Sequence, residues 1–475
     1  MGRYKYLFKN IGLLTLSSFG TKLLSFFLVP LYTNILTTAQ YGAYDMFNTT
    51  IGVLIPILTL NIQESVLRFA LDKHYRRDAI VTVATRFLLL GSGLVLAGLA
   101  VNAVFSFSEL VRTYSVYFFL MYFSQVLSGL VLAYIRGIDK IAALSVSSIL
   151  CSVVTLGLNI LFLVVLKWGL EGYFLANILG PLAQCAYLIA RGRIPGQVHL
   201  RTSYAEQSAE MLAYCKPLIA NSIGWWINNA SDRYIVVYFC GLAENGVYSV
   251  ASKIPSILNI FQTIFNQAWT LSAVKDFDPE DSSGFFSTTY RVYNSLMTIL
   301  CAGIIFADKL LAKFLYAKDF FVAWRYVPWL TMAILFGALS GLIGGIFSAV
   351  KNSKIFAQST IIGAVANLLM NVLLTPVMGP LGAAIATTVS YVLVWAMRMM
   401  HARRYIRLKL HLVRDIVSYG LLLVQSVLLL MLGGLTMYLV EGGLVLVILA
   451  LNLKDLLPLV AKLLKKGDAG SHEPS

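Results

Sequence analysis

The chain has 475 residues, of which 58% are hydrophobic and only 12% charged, and it carries a formal net charge of +15. Soluble domains carry about 25% charged residues, so this chain has too little polar surface to cover a core in water. The composition excludes a soluble globular protein, and it indicates that lipid surrounds most of the chain. The apolar runs lack two-residue alternation, which favours membrane helices over a closed barrel.

Fourteen apolar runs, here called spans 1 to 14, are separated by short polar joints. Span 1 follows the basic residues Arg3, Lys5 and Lys9, and its apolar stretch is too long for a cleaved signal peptide. The sequence therefore predicts an all-α polytopic membrane protein. The spans cover residues 9–36, 42–68, 79–105, 110–135, 141–166, 168–190, 212–240, 245–274, 285–307, 320–349, 355–376, 380–400, 413–440 and 442–461.

The joints differ in charge on the two sides of the membrane. With both termini inside, the inner joints hold 24 Lys and Arg residues and the outer joints hold 6, when Arg398 to Arg414 is counted as one inner joint. This asymmetry satisfies the positive-inside rule and predicts cytoplasmic termini. The basic net charge is thus explained by topology, and no nucleic-acid partner is expected.

The two halves of the chain resemble each other. Residues 35–46 align with residues 239–250 at a shift of 204, which pairs Gly42 with Gly246. Further pairs follow in order, at shifts between 204 and 214, as small insertions and deletions require: Tyr44 with Tyr248, Arg86 with Arg291, Lys140 with Lys354, Asn159 with Asn371, and Gly172 with Gly382. Spans 1–6 are therefore predicted to repeat as spans 7–12. The predicted divisions are 1–200 and 201–411 for two pseudo-symmetric six-helix bundles, and 412–475 for spans 13 and 14 with a cytoplasmic tail.

Polar residues recur three or four positions apart along spans 2 and 8, so each set forms one helix face. Packing through small polar residues is common between membrane helices and is one explanation. A face that holds Lys, Asn and Gln across the bilayer favours the other, a water-filled cavity lined by spans 1, 2, 7 and 8. The predicted polar lining is Asn48, Gln63, Asn228, Asn229, Ser256, Asn259 and Gln267.

Charged residues also fall inside the spans. Local ion pairs or snorkelling side chains would account for some of them, but an intramembrane charge is by default a candidate functional residue. The candidate anion-binding cations are Lys22, Lys253, Arg291, Arg86 and Arg233, and the candidate ion-coupling acids are Asp45, Asp232 and Glu64. Because Asp232 and Arg233 are adjacent, one of them is expected to pair sideways.

No catalytic triad, metal motif or nucleotide-binding loop appears in the sequence. The five cysteines lie singly inside apolar runs, as packing residues do. We therefore expect no enzyme activity, no cofactor and no metal. Any uphill work would use an ion gradient, the membrane potential or the substrate gradient.

Two stretches carry a family resemblance. The first is NIGLLTLSSFGTKLLSFFLVPLYTNIL followed by TTAQYGAYDMF, and the second is KNSKIFAQSTIIGAVANLLMNVLLTPVMGPLGAAIAT, with Asn371 and the GPLGAAIAT turn. They resemble the multidrug/oligosaccharidyl-lipid/polysaccharide exporter superfamily, and within it the Wzx-type polysaccharide flippases. The resemblance extends over nearly the whole chain, although no single motif is diagnostic.

The resemblance implies a flippase of the bacterial cytoplasmic membrane that moves a polyprenyl-pyrophosphate-linked oligosaccharide to the outer leaflet by alternating access, for O-antigen, capsule or exopolysaccharide synthesis. It also implies that spans 13 and 14 accommodate the lipid tail, and that a glycan polymerase or other assembly proteins are possible partners. Lys and Arg at successive depths would neutralise the pyrophosphate. Two alternatives stay open: ion-coupled multidrug efflux, and a membrane-embedded glycan polymerase or ligase.

Overall fold

The computed structural model describes residues 26–72, 74–350 and 352–469. Within these ranges it leaves the side chains of a few positions undescribed, namely 217, 220, 221, 225, 228, 229, 264, 267, 268, 270, 271, 353 and 458–469. No strand forms among the described residues, and helices follow one another through short turns.

Seventeen α-helices make up the described part of the chain. They are α1 (Val29–Ile35), α2 (Thr38–Leu58), α3 (Ile62–Leu71), α4 (Arg77–Phe105), α5 (Glu109–Thr113), α6 (Ser115–Gly137), α7 (Ile141–Asn159), α8 (Gly169–Gly192), α9 (Ala205–Cys240), α10 (Leu242–Ala251), α11 (Ser256–Lys275), α12 (Phe285–Leu315), α13 (Val327–Ala349), α14 (Ser353–Met378), α15 (Pro380–Ala402), α16 (Leu412–Met431) and α17 (Gly434–Ala469). A π-helical turn, Ile160–Val165, extends α7.

The all-α membrane fold predicted from the sequence is confirmed. Among the described residues, ten helices are long and apolar enough to cross a membrane, and eleven if the bent pair α2 and α3 counts as one span. Each predicted span from 2 to 14 corresponds to a helix or a broken pair of helices, and span 1 is described only from residue 26 onward. Fourteen membrane helices are consistent with this arrangement.

Two spans are broken inside their apolar stretch. Span 2 bends by 61° between α2 and α3, where Leu60 and Asn61 both adopt positive φ angles of 49° and 56°. Span 8 is interrupted between α10 and α11 by a turn that contains Lys253 and Pro255. Breaks of this kind are tolerated at membrane depth only where protein or water satisfies the freed backbone groups.

Two details of the sequence prediction were wrong. Spans 13 and 14 were divided at Glu441, but α16 ends at Met431 and α17 begins at Gly434, so Glu441 lies inside a helix and is fully buried. The turn is made at Gly434, whose φ of 63° suits glycine. Arg398 was counted in an inner joint, but it lies within α15 and is only 5% exposed.

The chain forms two compact units. The first unit comprises residues 1–237, 241–246 and 317–319, and the second comprises residues 238–240, 247–316 and 320–475. The first unit thus contains most of α9 and the start of α10 in addition to α1–α8. The second unit contains α11–α17 and the rest of α10. The division into six-helix bundles at residues 200 and 411 stays a prediction.

Candidate functional site

An ion pair joins α2 and α9 within the first unit. Arg233 Nε on α9 lies 3.1 Å from Asp45 Oδ2 on α2. Asp45 is 7% exposed, and its Oδ2 also accepts a hydrogen bond of 3.2 Å from the Nδ2 atom of Asn245. One predicted coupling acid and one predicted anion-binding cation are therefore partners. Arg233 thus reaches across from α9 to α2, while the expectation that either Asp232 or Arg233 pairs sideways stays a prediction.

The start of α10 reaches the ion pair because two glycines let α2 and α10 approach closely. A Cβ atom on Gly42 would lie 1.9 Å from the carbonyl oxygen of Leu242, and one on Gly246 would lie 2.0 Å from the carbonyl oxygen of Thr38. The two contacts are reciprocal, because the repeat shift of 204 converts Gly42 into Gly246 and Thr38 into Leu242. Asn245 Nδ2 donates a further bond of 3.3 Å to the Gly42 carbonyl oxygen at this crossing.

Further polar contacts hold α9 against α2. Trp226 Nε1 donates to the Thr49 carbonyl oxygen at 2.9 Å, and the hydroxyls of Thr50 and Tyr234 lie 2.6 Å apart. At the bend of span 2, the buried Asn61 donates from Nδ2 to Ser222 Oγ at 3.1 Å. The polar face of span 2 predicted from its period thus contacts span 7.

The predicted lining residues in the first unit contact α6 as well. Asn48 is exposed, and its Oδ1 accepts a hydrogen bond of 3.0 Å from Gln125 Nε2. Gln63 lies against Gly129, where a Cβ atom would be 2.6 Å from Gln63 Oε1. Glu64 is exposed in the first turn of α3. The carboxylate of Asp232 accepts from the backbone N–H of Arg233 at 2.9 Å.

In the second unit, Lys253 lies in the turn that breaks span 8. Its carbonyl oxygen accepts from Ser256 Oγ at 2.6 Å, and its N–H donates to the Val250 carbonyl oxygen at 2.9 Å. The Tyr316 hydroxyl donates to the same Val250 oxygen at 3.1 Å, so the turn is held from two sides. Among the described residues, the Lys253 ammonium makes no hydrogen bond or ion pair. Asn259 follows on α11 and is exposed.

Arg86 and Arg291 occupy equivalent places in their own units. Arg86 donates to the carbonyl oxygens of Leu200 and Thr202 at 2.9 and 2.5 Å. Arg291 Nη1 lies 3.2 Å from His411 Nε2. Each arginine thus binds the segment that follows the sixth span of its repeat and holds that segment in place.

A second contact repeats at the same two segments. The N–H of His199 donates to Thr82 Oγ1 at 3.0 Å, and the N–H of Lys409 donates to Ser287 Oγ at 2.7 Å. Thr82 and Ser287 differ by the same shift of 205 that relates Arg86 to Arg291, and His199 and Lys409 differ by 210. Matching contacts at matching shifts support the internal duplication.

Some predicted residues lie outside the description. Lys22 falls outside the described residues, as do the side chains of Asn228, Asn229 and Gln267. Two buried residues that make polar contacts between helices, Asn245 and Arg398, were not predicted as candidates from the sequence. Asn245 was placed at the first position of span 8 and was not named as a candidate, although its position beside the paired glycine Gly246 was a signal. Arg398 was hidden by the neighbouring basic joint, and its partners Ser340, Ser359 and Thr360 are remote in sequence.

The family model described as polysaccharide biosynthesis protein matches residues 7–271, which is more than half of the chain. The chain belongs to this family. A curated relative, the probable low-salt glycan biosynthesis flippase Agl15 of Haloferax volcanii, is 25% identical over 224 residues, which cover 46% of each chain. The chain therefore spans about half the length of the curated relative that it matches.

Two solved structures have folds similar to that of this chain. The lipid II flippase MurJ in an inward closed conformation superposes with a TM-score of 0.67 at 12% identity, covering 94% of this chain and 99% of that chain. An inward-facing multidrug resistance MATE family transporter of the MOP superfamily superposes with a TM-score of 0.61 at 13% identity, covering 81% and 95%. Membership in the polysaccharide biosynthesis family agrees with the resemblance noted in the sequence, and the fold of the chain is similar to the folds of MurJ and of the MATE transporter.

Proposed function

We propose that the protein is a flippase, rather than an enzyme, that moves a polyprenyl-pyrophosphate-linked oligosaccharide from the cytoplasmic to the outer leaflet of a bacterial cytoplasmic membrane. The observation that carries this proposal is an arginine inside a membrane protein of the polysaccharide biosynthesis family, Arg233, whose Nε lies 3.1 Å from the Asp45 carboxylate. A guanidinium that pairs with a carboxylate can pair with a phosphate oxygen in the same way.

Asp45 then acts as an internal stand-in for the substrate anion. Bringing the pyrophosphate to Arg233 would replace one charge-assisted pair by another, so the arginine never loses its counter-charge in the apolar interior. Removing one partner of a buried ion pair without replacement costs about 3–5 kcal/mol. Exchange of partners avoids most of that cost, and it would make the Asp45–Arg233 contact sensitive to bound substrate.

Lys253 is the second proposed anion ligand. Its side chain is half-buried at the break of span 8, and its ammonium has no partner among the described residues. Lys22 would add a third positive charge, as the sequence predicts. We propose that alternating access exposes these cations to each side in turn, with the termini in the cytoplasm and the lipid tail left in the bilayer. Arg86 and Arg291 would serve to hold the segments after spans 6 and 12.

The test uses purified full-length protein in liposomes with a fluorescent polyprenyl-pyrophosphate oligosaccharide and an impermeant quencher. Because a hydrogen bond to a charged group contributes about 1.5–3 kcal/mol, Arg233→Ala is expected to slow flipping by about 10- to 100-fold. Arg407→Ala is the matched control. Arg407 also lies in an arginine–carboxylate pair, with Glu280 at 2.7 Å, but its side chain is 79% exposed.

The same variants are then tested in cells that lack the chromosomal gene, with delivery of surface glycan as the readout. Arg233→Ala/Lys253→Ala is expected to block delivery at normal protein levels, and so is Lys22→Ala/Lys253→Ala. Arg407→Ala should deliver glycan like the unchanged protein. Normal flipping by Arg233→Ala/Lys253→Ala in liposomes would overturn the assignment of the anion site.

A further inference from the structure

Two carboxyl groups are fully buried in the second unit. Asp308 on α12 and Glu441 on α17 are each 0% exposed, and none of their four oxygens accepts a hydrogen bond from a described residue. Each lies seven residues from a helix end, Leu315 or Gly434, which corresponds to about 10 Å of helix. The two helices meet at this level, since a Cβ atom on Gly442 would lie 3.7 Å from the ring of Phe306.

The positively charged side chain next to Asp308 in sequence, Lys309, makes its contacts with other groups. Lys309 Nζ donates to the Leu432 carbonyl oxygen at 3.2 Å and lies 4.3 Å from the centre of the Trp324 ring. Among the described residues, neither acid has an ammonium or guanidinium nitrogen within 4.0 Å. Arg325 lies on the other side of Trp324, 5.8 Å from the ring centre.

The remaining helices around the acids add little charge. The α13 sequence contains no titratable residue. On α16, Arg414 and Asp415 pair with each other at the opposite end, and Asp455 of α17 joins them there. The other titratable groups on these helices within about two turns of the acids include Cys301 and Lys313 on α12, of which Lys313 is exposed, and Tyr438 on α17, whose ring lies 6.3 Å from that of Phe306. Two ionised carboxylates here would have no adequate counter-charge.

A buried amide lies beside one of these carboxyls. The Gln425 side chain on α16 is next to the Glu441 carboxyl, and its Nε2 donates to the Ala302 carbonyl oxygen at 3.1 Å. Gln425 Oε1 is buried and has no donor among the described residues. A protonated Glu441 has an O–H that this oxygen can accept, whereas an ionised Glu441 can only accept from the second N–H of the amide.

We propose that Asp308 and Glu441, together with Gln425, form a proton-binding site in the second unit. Both carboxyls are neutral in this conformation, and each would release its proton when a conformational change admits water. The described residues contain no group of three or more His, Cys, Asp and Glu side chains that could hold a metal ion. The site is separate from the coupling acids that the sequence suggested, Asp45, Asp232 and Glu64, and it makes proton coupling a property of α12, α16 and α17.

The proton itself is the measured ligand, so the experiment does not depend on the cargo. Infrared difference spectra of the purified full-length protein, recorded between neutral and alkaline pH, report the C=O stretch of protonated carboxyl groups. Asp308→Asn and Glu441→Gln should each remove part of that band, and the double variant should remove the sum of the two parts. Glu109→Gln is the control, because the Glu109 side chain is 77% exposed.

The amide variants keep the size of each side chain and imitate its neutral form, so both should fold with melting temperatures near that of the unchanged protein. An unaltered carboxyl band in both well-folded variants would overturn the proposal. Loss of the band on adding Na⁺ at constant pH would also overturn it, since the site would then bind a metal cation. If the band behaves as expected but no glycan lipid is flipped, the proton site stands and the proposed function fails.

Discussion

The close crossing of α2 and α10 allows a prediction whose magnitude follows from the structure. In Gly42→Ala the new Cβ would lie 1.9 Å from the Leu242 carbonyl oxygen, whereas ordinary contacts begin at 3.4 Å. The helices must separate by about 1.5 Å, and overpacking of this kind costs about 1–3 kcal/mol. Alanine recovers up to about 1 kcal/mol through its helix propensity. We therefore expect Gly42→Ala to lower the free energy of unfolding by about 2 kcal/mol.

The matched control is Gly93→Ala, because Gly93 lies inside α4 and a Cβ there meets no atom within 4 Å. That variant should be as stable as the unchanged protein, or more stable by up to about 1 kcal/mol. The assay is unfolding of the purified protein in detergent, by heat and by denaturant. Because the Gly246 contact is reciprocal, Gly42→Ala/Gly246→Ala should lose less stability than the sum of the two single losses. If Gly42→Ala unfolds at the same temperature and denaturant concentration as Gly93→Ala, the close crossing does not limit stability and the reasoning is refuted.

Three further predictions concern charged side chains. Asp45→Ala should destabilise the protein more than Asp45→Ala/Arg233→Met, because the single change removes a carboxylate from beside a half-buried guanidinium; additive losses in denaturant unfolding would contradict this. Arg398→Met should lower the free energy of unfolding by about 2–4 kcal/mol, since the guanidinium donates hydrogen bonds to Ser359, Thr360 and the Ser340 carbonyl oxygen. Arg403→Met changes an exposed position and should leave the free energy of unfolding almost unchanged in the same assay. The pKa of Asp278 is lowered because the Ser282 N–H donates to its carboxylate at 2.7 Å. The ionised carboxylate therefore stabilises the loop 276–284 at neutral pH, and this stabilisation is lost as the pH falls through the lowered pKa. Hydrogen exchange of the Ser282 N–H, corrected for the intrinsic pH dependence, should accelerate in acid, and in Asp278→Asn it should already be fast at neutral pH.

The spans, their repeat and the paired glycines were predictable because each leaves a local signal. Apolar length identifies a span, and an ordered series of shifts identifies a duplication. The breaks were harder to predict. Pro255 signals the turn in span 8, but Leu60 and Asn61 give no comparable signal for the 61° bend in span 2, because that bend depends on contacts with α9.

The partners of the intramembrane charges could not be predicted. Arg233 and Asp45 are 188 positions apart in sequence, and only the packing of α9 on α2 brings them together. The joint after span 13 was misplaced because a glutamate in an apolar run suggests a surface turn. The structure instead buries Glu441 and makes the turn at a glycine. Hydropathy averages cannot distinguish a charge at a joint from a charge that packs against another helix.

The repeat separates the contacts that hold the fold from the charges proposed to act in transport. The glycine crossing relates Gly42 to Gly246, and the two arginines Arg86 and Arg291 bind equivalent segments, so these contacts obey the duplication. The proposed functional charges do not. At a shift of 204 the residue that corresponds to Asp45 is Ser249, and at a shift of 205 the residue that corresponds to Asp308 is Ala103. Each unit therefore carries a charge that its repeat lacks: the pair of Arg233 and Asp45 in the first unit and the buried Asp308 in the second. Such divergence is expected if Arg233 binds the anionic cargo and the acids of the second unit bind the proton.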